Sequence, residues 1–192
     1  LGGDYSAFVV FDVSSIPYKV AAVYHSNTVS PLLYPNAIYQ AAKNYNDAFV
    51  LVEVNDIGGQ VADILTQDLE YEHVLYTSRG SIGVSASVTA GFGQGSSVGV
   101  RTTKSVKRVG CANLKTLVES DKLFLNDLHI IEELFRFVAK GQSYEAEEGH
   151  DDLAMCCVLF AWLTSQTYFK ELTSSDVRRN LYAQHAQAIE DS

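Results

Sequence analysis

Four acids and one histidine stand directly before a nearly apolar segment in "EEGHDDLAMCCVLFAW", Glu147 to Trp162. A single Asp suffices to cap a helix, because its carboxylate accepts backbone N–H groups and meets the positive end of the helix dipole. Several carboxylates this close repel one another unless cations lie between them. Asp151 and Asp152, at the predicted start of the helix, are therefore candidate ligands of Mg²⁺ or Mn²⁺, which prefer carboxylate oxygens. Glu147 and Glu148 stay open to the simpler interpretation of solvated loop acids.

Glu53 interrupts an apolar run, "FVLVEVN", that is otherwise typical of a strand buried in a sheet. A buried carboxylate is costly unless it is paired or coordinates a metal. Three interpretations are open: a strand-end Glu that faces solvent, a buried ion pair and a metal ligand. Two cations held by Glu53 and the Asp151–Asp152 pair could activate water and stabilise the leaving oxygen of a phosphodiester. The pattern therefore favours phosphodiester hydrolysis as a hypothesis.

Charge is distributed unevenly along the chain, whose net charge is −9. The window from His73 to Val118 contains no Asp or Glu but six basic residues, so the rest of the chain is strongly acidic. Such asymmetry can place a basic surface on an acidic body, and it is also consistent with a solvated, slightly basic loop. The basic residues of the window are Arg79, Arg101, Lys104, Lys107, Arg108 and Lys115.

Other chemistries find little support in the residue pattern. The five histidines are scattered and no CxxC pair occurs, so a zinc site is not indicated. Cys156 and Cys157 lie in an apolar segment, where a thiol is normally inert, and three cysteines fit a reducing compartment better than a disulfide framework. The sequence has no GxxxxGK[ST] phosphate loop, and no apolar run reaches the roughly 18 residues of a membrane span.

The elements that must position these acids follow from the hydrophobic spacing. Their order predicts an α/β domain with a mixed central sheet and helices on both faces. The predicted strands are Tyr5–Val13 and Tyr18–His25, which form a hairpin, then Ala48–Val54, buried on both faces, Glu72–Tyr76 and Lys122–Leu125. The predicted helices are Leu33–Tyr45, Gly59–Leu69, a segment that begins at about Cys111, Leu128–Lys140 and Asp151–Thr167.

Two of these segments carry more specific predictions. Arg79 to Val100 is rich in Gly, Ser and Val and has no helical period, which predicts a mobile loop or an irregular hairpin. The helix over Leu128–Lys140 is amphipathic, with Ile130 and Phe135 among the residues predicted to face inward. Gly141 is expected to end it, as a glycine commonly ends a helix.

Four segments in this order resemble a known family: "DYSAFVVFDV", "LVEVN" with the following Gly58-Gly59 pair, "TTKSVKRVGCANLKTLVESDKLFL" and "EEGHDDLAM". They resemble the C-terminal nuclease domain of large terminases, the DNA-packaging motor proteins of tailed bacteriophages. The resemblance covers essentially the whole chain and is strongest toward T-even-type myoviruses. It implies a ribonuclease H-like, resolvase-like fold and metal-dependent endonuclease activity on double-stranded DNA.

The resemblance also implies roles for individual residues. Three acids hold the metal ions in that family; the second matches Glu53 and the third matches Asp152, with Asp151 as its close neighbour. The first acid is expected upstream of Leu1, and Asp4 matches a nearby family acid that is expected to approach the site. Residues that would hold the DNA backbone through phosphate contacts are Arg101, Lys104, Lys107, Arg108 and Lys115.

The same resemblance implies the biological setting. Residues 1–192 are predicted to be a single nuclease domain without the family's N-terminal ATPase and without the first strand of the fold. The implied partners are double-stranded DNA, the portal protein and the small terminase subunit, and the full-length motor is expected to form an oligomeric ring. The expected location is the cytoplasm of the infected bacterial host, with transient docking on the procapsid.

Two other functions stay open. A non-catalytic ribonuclease H-like module would bind DNA or a motor partner without metal, and the expected absence of the first acid is its support. A junction-resolvase-type nuclease of the same superfamily would cut only branched DNA.

Overall fold

The computed structural model describes residues 5–78, 86–89, 95–141 and 143–174. Its first element is an antiparallel hairpin of β1 (Ser6–Asp12) and β2 (Tyr18–Ser26), with a bulge between Val10 and Phe11. Aromatic and β-branched residues fill both strands, as a pleated and half-buried surface favours. The predicted hairpin is confirmed.

Alternate residues of the hairpin face two different hydrophobic clusters. Ala7, Val9 and Phe11 of β1 pack against one cluster, whereas Phe8 packs against the other. The period of two is that of a strand whose side chains point to opposite sides. The hairpin thus separates two helical layers, and the predicted α/β architecture is confirmed.

The helices divide between these two layers. The first layer contains α3 (Lys104–Glu119), α4 (Leu128–Arg136) and α5 (Asp152–Thr164), followed by a helical segment over residues 167–174. The second contains α1 (Tyr34–Asn44) and α2 (Gly58–Asp63), which continues as one π-helical turn over Ile64–Asp68.

The described strands form three separate sheets. In one, antiparallel neighbours β4 (Ser87–Thr89) and β5 (Ser96–Val98) flank β3 (Tyr76–Ser78). In the sheet that contains the hairpin, β6 (Leu123–Phe124) runs parallel to β2, so this sheet is mixed in direction. Arg79 to Val100 is predicted to be a mobile loop or an irregular hairpin, and its described part contains β4 and β5, which pair with β3. Residues 79–85 and 90–94 lie outside the described residues.

The segment predicted as a strand over Ala48–Val54 is extended but pairs only through isolated parallel bridges. Val50 bridges to Val74, and Glu53 bridges to Val100. Val52 is buried at 8% exposure, whereas Phe49 is 47% exposed. The prediction of burial on both faces is therefore confirmed in the middle of the segment. It is wrong at the start of the segment, a few residues after the end of α1.

Helix α3 begins at Lys104, well before the predicted start near Cys111. Thr103 caps it, with its hydroxyl oxygen accepting the N–H of Val106 at 3.2 Å. Gly110 lies inside the helix where α3 meets α5, and a Cβ there would stand 2.5 Å from the carbonyl oxygen of Val158. The glycine thus permits close helix packing and does not interrupt the helix.

Helix α4 ends at Arg136, so its predicted extension to Lys140 is wrong. Phe137–Lys140 forms strand β7, which pairs antiparallel with β8 (Ser143–Ala146). Gly141 has a φ of +62° and lies between these strands. A glycine at positive φ suits a strand turn as well as a helix end, which is why the sequence pattern did not separate the two.

Candidate acidic site and its surroundings

The acidic residues of the opening segment lie at the start of α5, the most deeply buried helix of the first layer. Leu153, Ala154, Cys157 and Trp162 have no exposed surface. The apolar part of the segment therefore anchors α5 in the core and fixes its N-terminus, where Asp152 is the first helical residue. Among the residues that the structure describes, no helix has the length and apolarity to cross a membrane.

The cap of α5 comes from another helix. Asp151 occupies the N-cap position, yet within the described chain its side chain makes no capping hydrogen bond. Instead Glu133 of α4 accepts both free amides through its Oε2, at 2.7 Å from Leu153 N and 2.9 Å from Ala154 N. Burial raises the pKa of Glu133, although these two N–H groups and His25 oppose the rise.

Sequence reasoning missed Glu133. The available signal was an acid three residues after Ile130, on the buried side of an amphipathic helix. The same helix leaves Phe135 84% exposed, so the prediction that Phe135 faces inward is wrong. Phe135 lies in the last turn of α4, which ends at Arg136.

Two histidines lie beside Asp152. Its Oδ2 is 3.9 Å from His25 Nε2 and 3.7 Å from His150 Nδ1. His25 Nε2 also lies 3.9 Å from Glu133 Oε1, so it stands between two carboxylates. The Tyr5 ring stacks on His25 with 4.1 Å between centroids and meets His150 edge-on at 4.6 Å. These rings cover the β2 side of Asp152, whose side chain is 29% exposed.

Asp151 is oriented toward a different element. Its Oδ2 lies 3.8 Å from the Nζ of Lys107 on α3, and Lys107 also stands over the Phe137 ring at 5.3 Å. The Lys107 side chain is only 20% exposed. The two consecutive acids therefore have different neighbours, and Lys107 lies at the acidic site as well as in the basic window.

Glu53 lies in the extended segment between the two layers, where Val52 and Val54 pack against the second cluster and Leu51 packs against the first. Its backbone is held by the bridge to Val100, with hydrogen bonds on either side of it from Val54 N to Val100 O at 2.9 Å and from Val100 N to Val52 O at 2.8 Å. A Cβ built at Gly58 would overlap the Glu53 carbonyl oxygen, so the turn into α2 presses directly against this residue. No cationic side chain among the described residues forms an ion pair with Glu53.

The buried thiol of Cys156 lies near three of these acids. Burial, together with the negative charges of Glu53, Asp152 and Glu133, raises the pKa of Cys156 to about 12. Carboxylates from three separate elements thus act on a single sulfur atom. Cys156 Sγ in turn donates to the carbonyl oxygen of Ala7 on β1 at 3.8 Å. We refer to Glu53, Asp151 and Asp152 as the acidic cluster.

The donor types in this cluster suit a hard cation, since carboxylate oxygens are the ligands that Mg²⁺ and Mn²⁺ prefer. Over the described ranges, no three His, Cys, Asp or Glu side chains are gathered closely enough to hold a metal ion. Asp4, which the resemblance places near the site, lies outside those ranges. The oxygen donors of Glu53 and Asp152 are of the type that fits such an ion.

Two of the remaining basic residues border a cleft beside α3. Lys104 and Arg108 line an open cleft of about 520 Å³, which Gly141 and Tyr144 of the β7–β8 hairpin border on the other side. Arg101 is exposed just before the helix, and its neighbour Thr102 is held by Asn55, which accepts from Thr102 N at 3.1 Å.

Lys115 differs from the residues of the cleft. It lies farther along α3, where its Nζ is 3.7 Å from Glu119 Oε1 and its side chain is 74% exposed. Arg79 lies outside the described residues.

A mixed sheet between two helical layers, with acids meeting beside β1, has the architecture of a ribonuclease H-like domain. Residues 1–161 match the family model described as a terminase RNaseH-like domain. The chain belongs to this family, and the predicted fold class and terminase resemblance are confirmed at that level.

Solved structures of a terminase nuclease have the same fold. The large terminase nuclease from thermophilic phage G20c with bound magnesium is 20% identical, with a TM-score of 0.59 over 83% of this chain and 74% of that one. The cobalt-bound form is 21% identical, with a TM-score of 0.60 over the same shares. A further structure of that nuclease is 21% identical, with a TM-score of 0.54 over 86% of this chain and 78% of that one. These likenesses show the fold.

Proposed function

We propose that the chain is the metal-dependent endonuclease domain of a viral DNA-packaging terminase. It would cut concatemeric double-stranded DNA when packaging begins and when it is complete. The observation that carries this proposal is the convergence of Glu53 and Asp152 beside Cys156, in a chain of the terminase RNaseH-like family. A sheet-edge Glu and a helix-start Asp are a suitable pair of ligands for phosphodiester hydrolysis.

Glu53 and Asp152 are the proposed metal ligands and catalytic residues, with Asp151 in support and Asp4 as a further ligand. Bound Mg²⁺ or Mn²⁺ supplies Lewis acidity, activating water and stabilising the leaving oxygen. The magnesium and cobalt bound to the phage G20c nuclease support a divalent cation.

The other residues of the site orient these ligands. The Lys107 ammonium lies 3.8 Å from the Asp151 carboxylate and partly neutralises its charge. This weakens the repulsion between Asp151 and Asp152. The rings of Tyr5, His25 and His150 cover one side of Asp152 and restrict water there.

The cleft between α3 and the β7–β8 hairpin is the proposed position of the DNA backbone. Lys104 and Arg108 line it and Arg101 precedes their helix in the chain, whereas Lys107 and Lys115 are paired with Asp151 and Glu119. Phosphate contacts of this kind carry no sequence information, which suits an enzyme that cuts when a capsid is full. We assign the main contacts to Arg101, Lys104 and Arg108, and secondary ones to Lys107 and Lys115.

The wider setting rests on the family. We propose a T-even-type phage as the source and the portal protein and small terminase subunit as partners. We further propose a ring-shaped motor on the procapsid in the cytoplasm of the infected host, with residues 1–192 as its single nuclease domain.

Metal removal tests the proposed activity. We expect the chain to nick supercoiled plasmid with Mg²⁺ or Mn²⁺ and to stop when EDTA is added. Nicks would be scored as the conversion of supercoiled to relaxed DNA on a gel. DNA binding that persists in EDTA, together with no nicking at any divalent cation concentration, would instead establish a non-catalytic DNA-binding module.

Salt dependence tests the proposed DNA surface. Each lost phosphate contact lowers the slope of log K against log salt by about 1, so K104A/R108A is expected to lower it by about 2 and to weaken binding equally for unrelated sequences. Fluorescence anisotropy with two duplexes of different sequence measures both quantities. The control is Lys43→Ala on α1, whose ammonium pairs with Asp47 at 2.7 Å in the other layer. An unchanged slope for K104A/R108A would exclude the cleft as the DNA site.

A further inference from the structure

We propose that Glu133 is a positioning residue for the acidic cluster: it caps α5 in place of Asp151 and thereby fixes the place of the metal-binding acids. This inference rests on the proposed function. Its argument begins with the two hydrogen bonds in which one carboxylate oxygen of Glu133 accepts Leu153 N and Ala154 N, at 2.7 and 2.9 Å.

The capped amides belong to the residues directly after Asp152. Leu153 and Ala154 are completely buried, so no water can replace the acceptor if Glu133 is lost. The backbone of the first turn fixes the Cα of Asp152 and the direction of its side chain. Loss of the cap would therefore displace the Asp152 carboxylate.

The residue that would ordinarily cap this helix has another role. Asp151 is at the N-cap position, and an aspartate there usually accepts the amides of the first turn. In this chain its carboxylate lies 3.8 Å from Lys107 Nζ. The transfer of the cap to Glu133 explains how four acids can crowd at one helix start without competing for the same N–H groups.

Glu133 is itself firmly held. Ile130, one turn earlier on α4, has no exposed surface. Asp127 caps α4 by accepting His129 N at 2.9 Å and Ile130 N at 3.1 Å. The Glu133 side chain is 12% exposed, and its other oxygen lies 3.9 Å from His25 Nε2. With Oε2 bonded to two amides, Glu133 acts through α5 and not as a ligand.

Three variants separate a hydrogen-bonding role from a charge effect. Glu133→Ala removes the acceptor, Glu133→Gln keeps an oxygen that can accept both amides without the charge, and Glu132→Ala is the matched control. Glu132 is the neighbouring acid on the same helix, and its side chain is 52% exposed. Thermal unfolding followed by the fluorescence of the single tryptophan, Trp162, identifies the temperature at which every variant is folded.

The measurements are Mn²⁺ affinity by calorimetry, kcat and KM for plasmid nicking, and hydrogen exchange of the Leu153 and Ala154 amides. For Glu133→Ala we expect a loss of roughly 10–100-fold in Mn²⁺ affinity and kcat, as for residues that orient metal ligands, with KM for DNA unchanged. The two amides should exchange faster. Glu133→Gln and Glu132→Ala should resemble the unaltered chain in all three measurements.

Wild-type Mn²⁺ affinity and kcat in Glu133→Ala would overturn the proposal, and so would a Glu133→Gln variant as impaired as Glu133→Ala, because charge would then be the cause. If the unaltered chain does not nick DNA, the proposed function fails. In that case Mn²⁺ affinity and amide exchange still decide whether Glu133 positions the cluster.

Discussion

Asp152→Asn and Glu53→Gln are each expected to lower kcat for metal-dependent nicking by at least about 10³-fold. The removal of a ligand carboxylate takes away several kcal/mol of transition-state stabilisation, and each ~1.4 kcal/mol corresponds to a tenfold change in rate. Both substitutions keep the size of the side chain, so the loss would come from charge and coordination. Single-turnover nicking of plasmid DNA at saturating Mg²⁺ measures it.

Glu148→Ala is the control for these two variants. Glu148 belongs to the same acidic run but is exposed in the loop before α5, and its substitution is expected to change kcat less than about twofold. We also expect the melting temperature of Asp152→Asn not to fall, because Asp152 adds like charge beside Glu133. Full nicking activity in either Asp152→Asn or Glu53→Gln would remove that residue from the catalytic site.

Gly58→Ala is expected to impair both stability and activity. Its Cβ would overlap the backbone carbonyl oxygen of Glu53, a rigid neighbour that cannot rotate away. Overpacking of this kind costs roughly 1–3 kcal/mol, and the strain is relieved only if Glu53 or the start of α2 moves. Urea unfolding and nicking assays on the same preparation should therefore show a lower midpoint and a lower kcat together.

The adjacent glycine provides a matched comparison. A Cβ at Gly59 would meet nothing within 4 Å, and Gly59 lies in the same short helix. Gly59→Ala is thus expected to stabilise the chain by about 0.5–1 kcal/mol through helix propensity, with kcat unchanged. Equal midpoints for the two variants would show that Gly58 is not in tight contact with Glu53.

The elements that carry the acids could be predicted from hydrophobic spacing. The β1–β2 hairpin has strong β-forming residues over its whole length, and α5 is apolar on every side because the core surrounds it. The position of Glu53 in an apolar run likewise identified it as a candidate, and the Asp151–Asp152 pair marked the start of α5. These predictions depend on local pattern, which a single sequence contains.

The features that could not be predicted depend on contacts between distant segments. The cap of α5 comes from Glu133, twenty residues earlier along the chain, and nothing in the sequence near Asp151 indicates it. The pairing of Phe137–Lys140 with Ser143–Ala146 overrides a helical spacing that continues through Val138. Which basic residues face the cleft and which pair with acids, as Lys107 does, is also decided by tertiary packing.

The hydrogen bond from Cys156 to Ala7 has a consequence for when the acidic cluster forms. It joins residues 149 positions apart, across almost the entire fold. Closing so long a loop is slow and entropically unfavourable, so contacts of this range form after local ones during folding. A ribosome must also have released α5 before that helix can dock beside β1. The carboxylates of the acidic cluster therefore stay apart during the early steps of folding, and the cluster is assembled only when α5 docks beside β1.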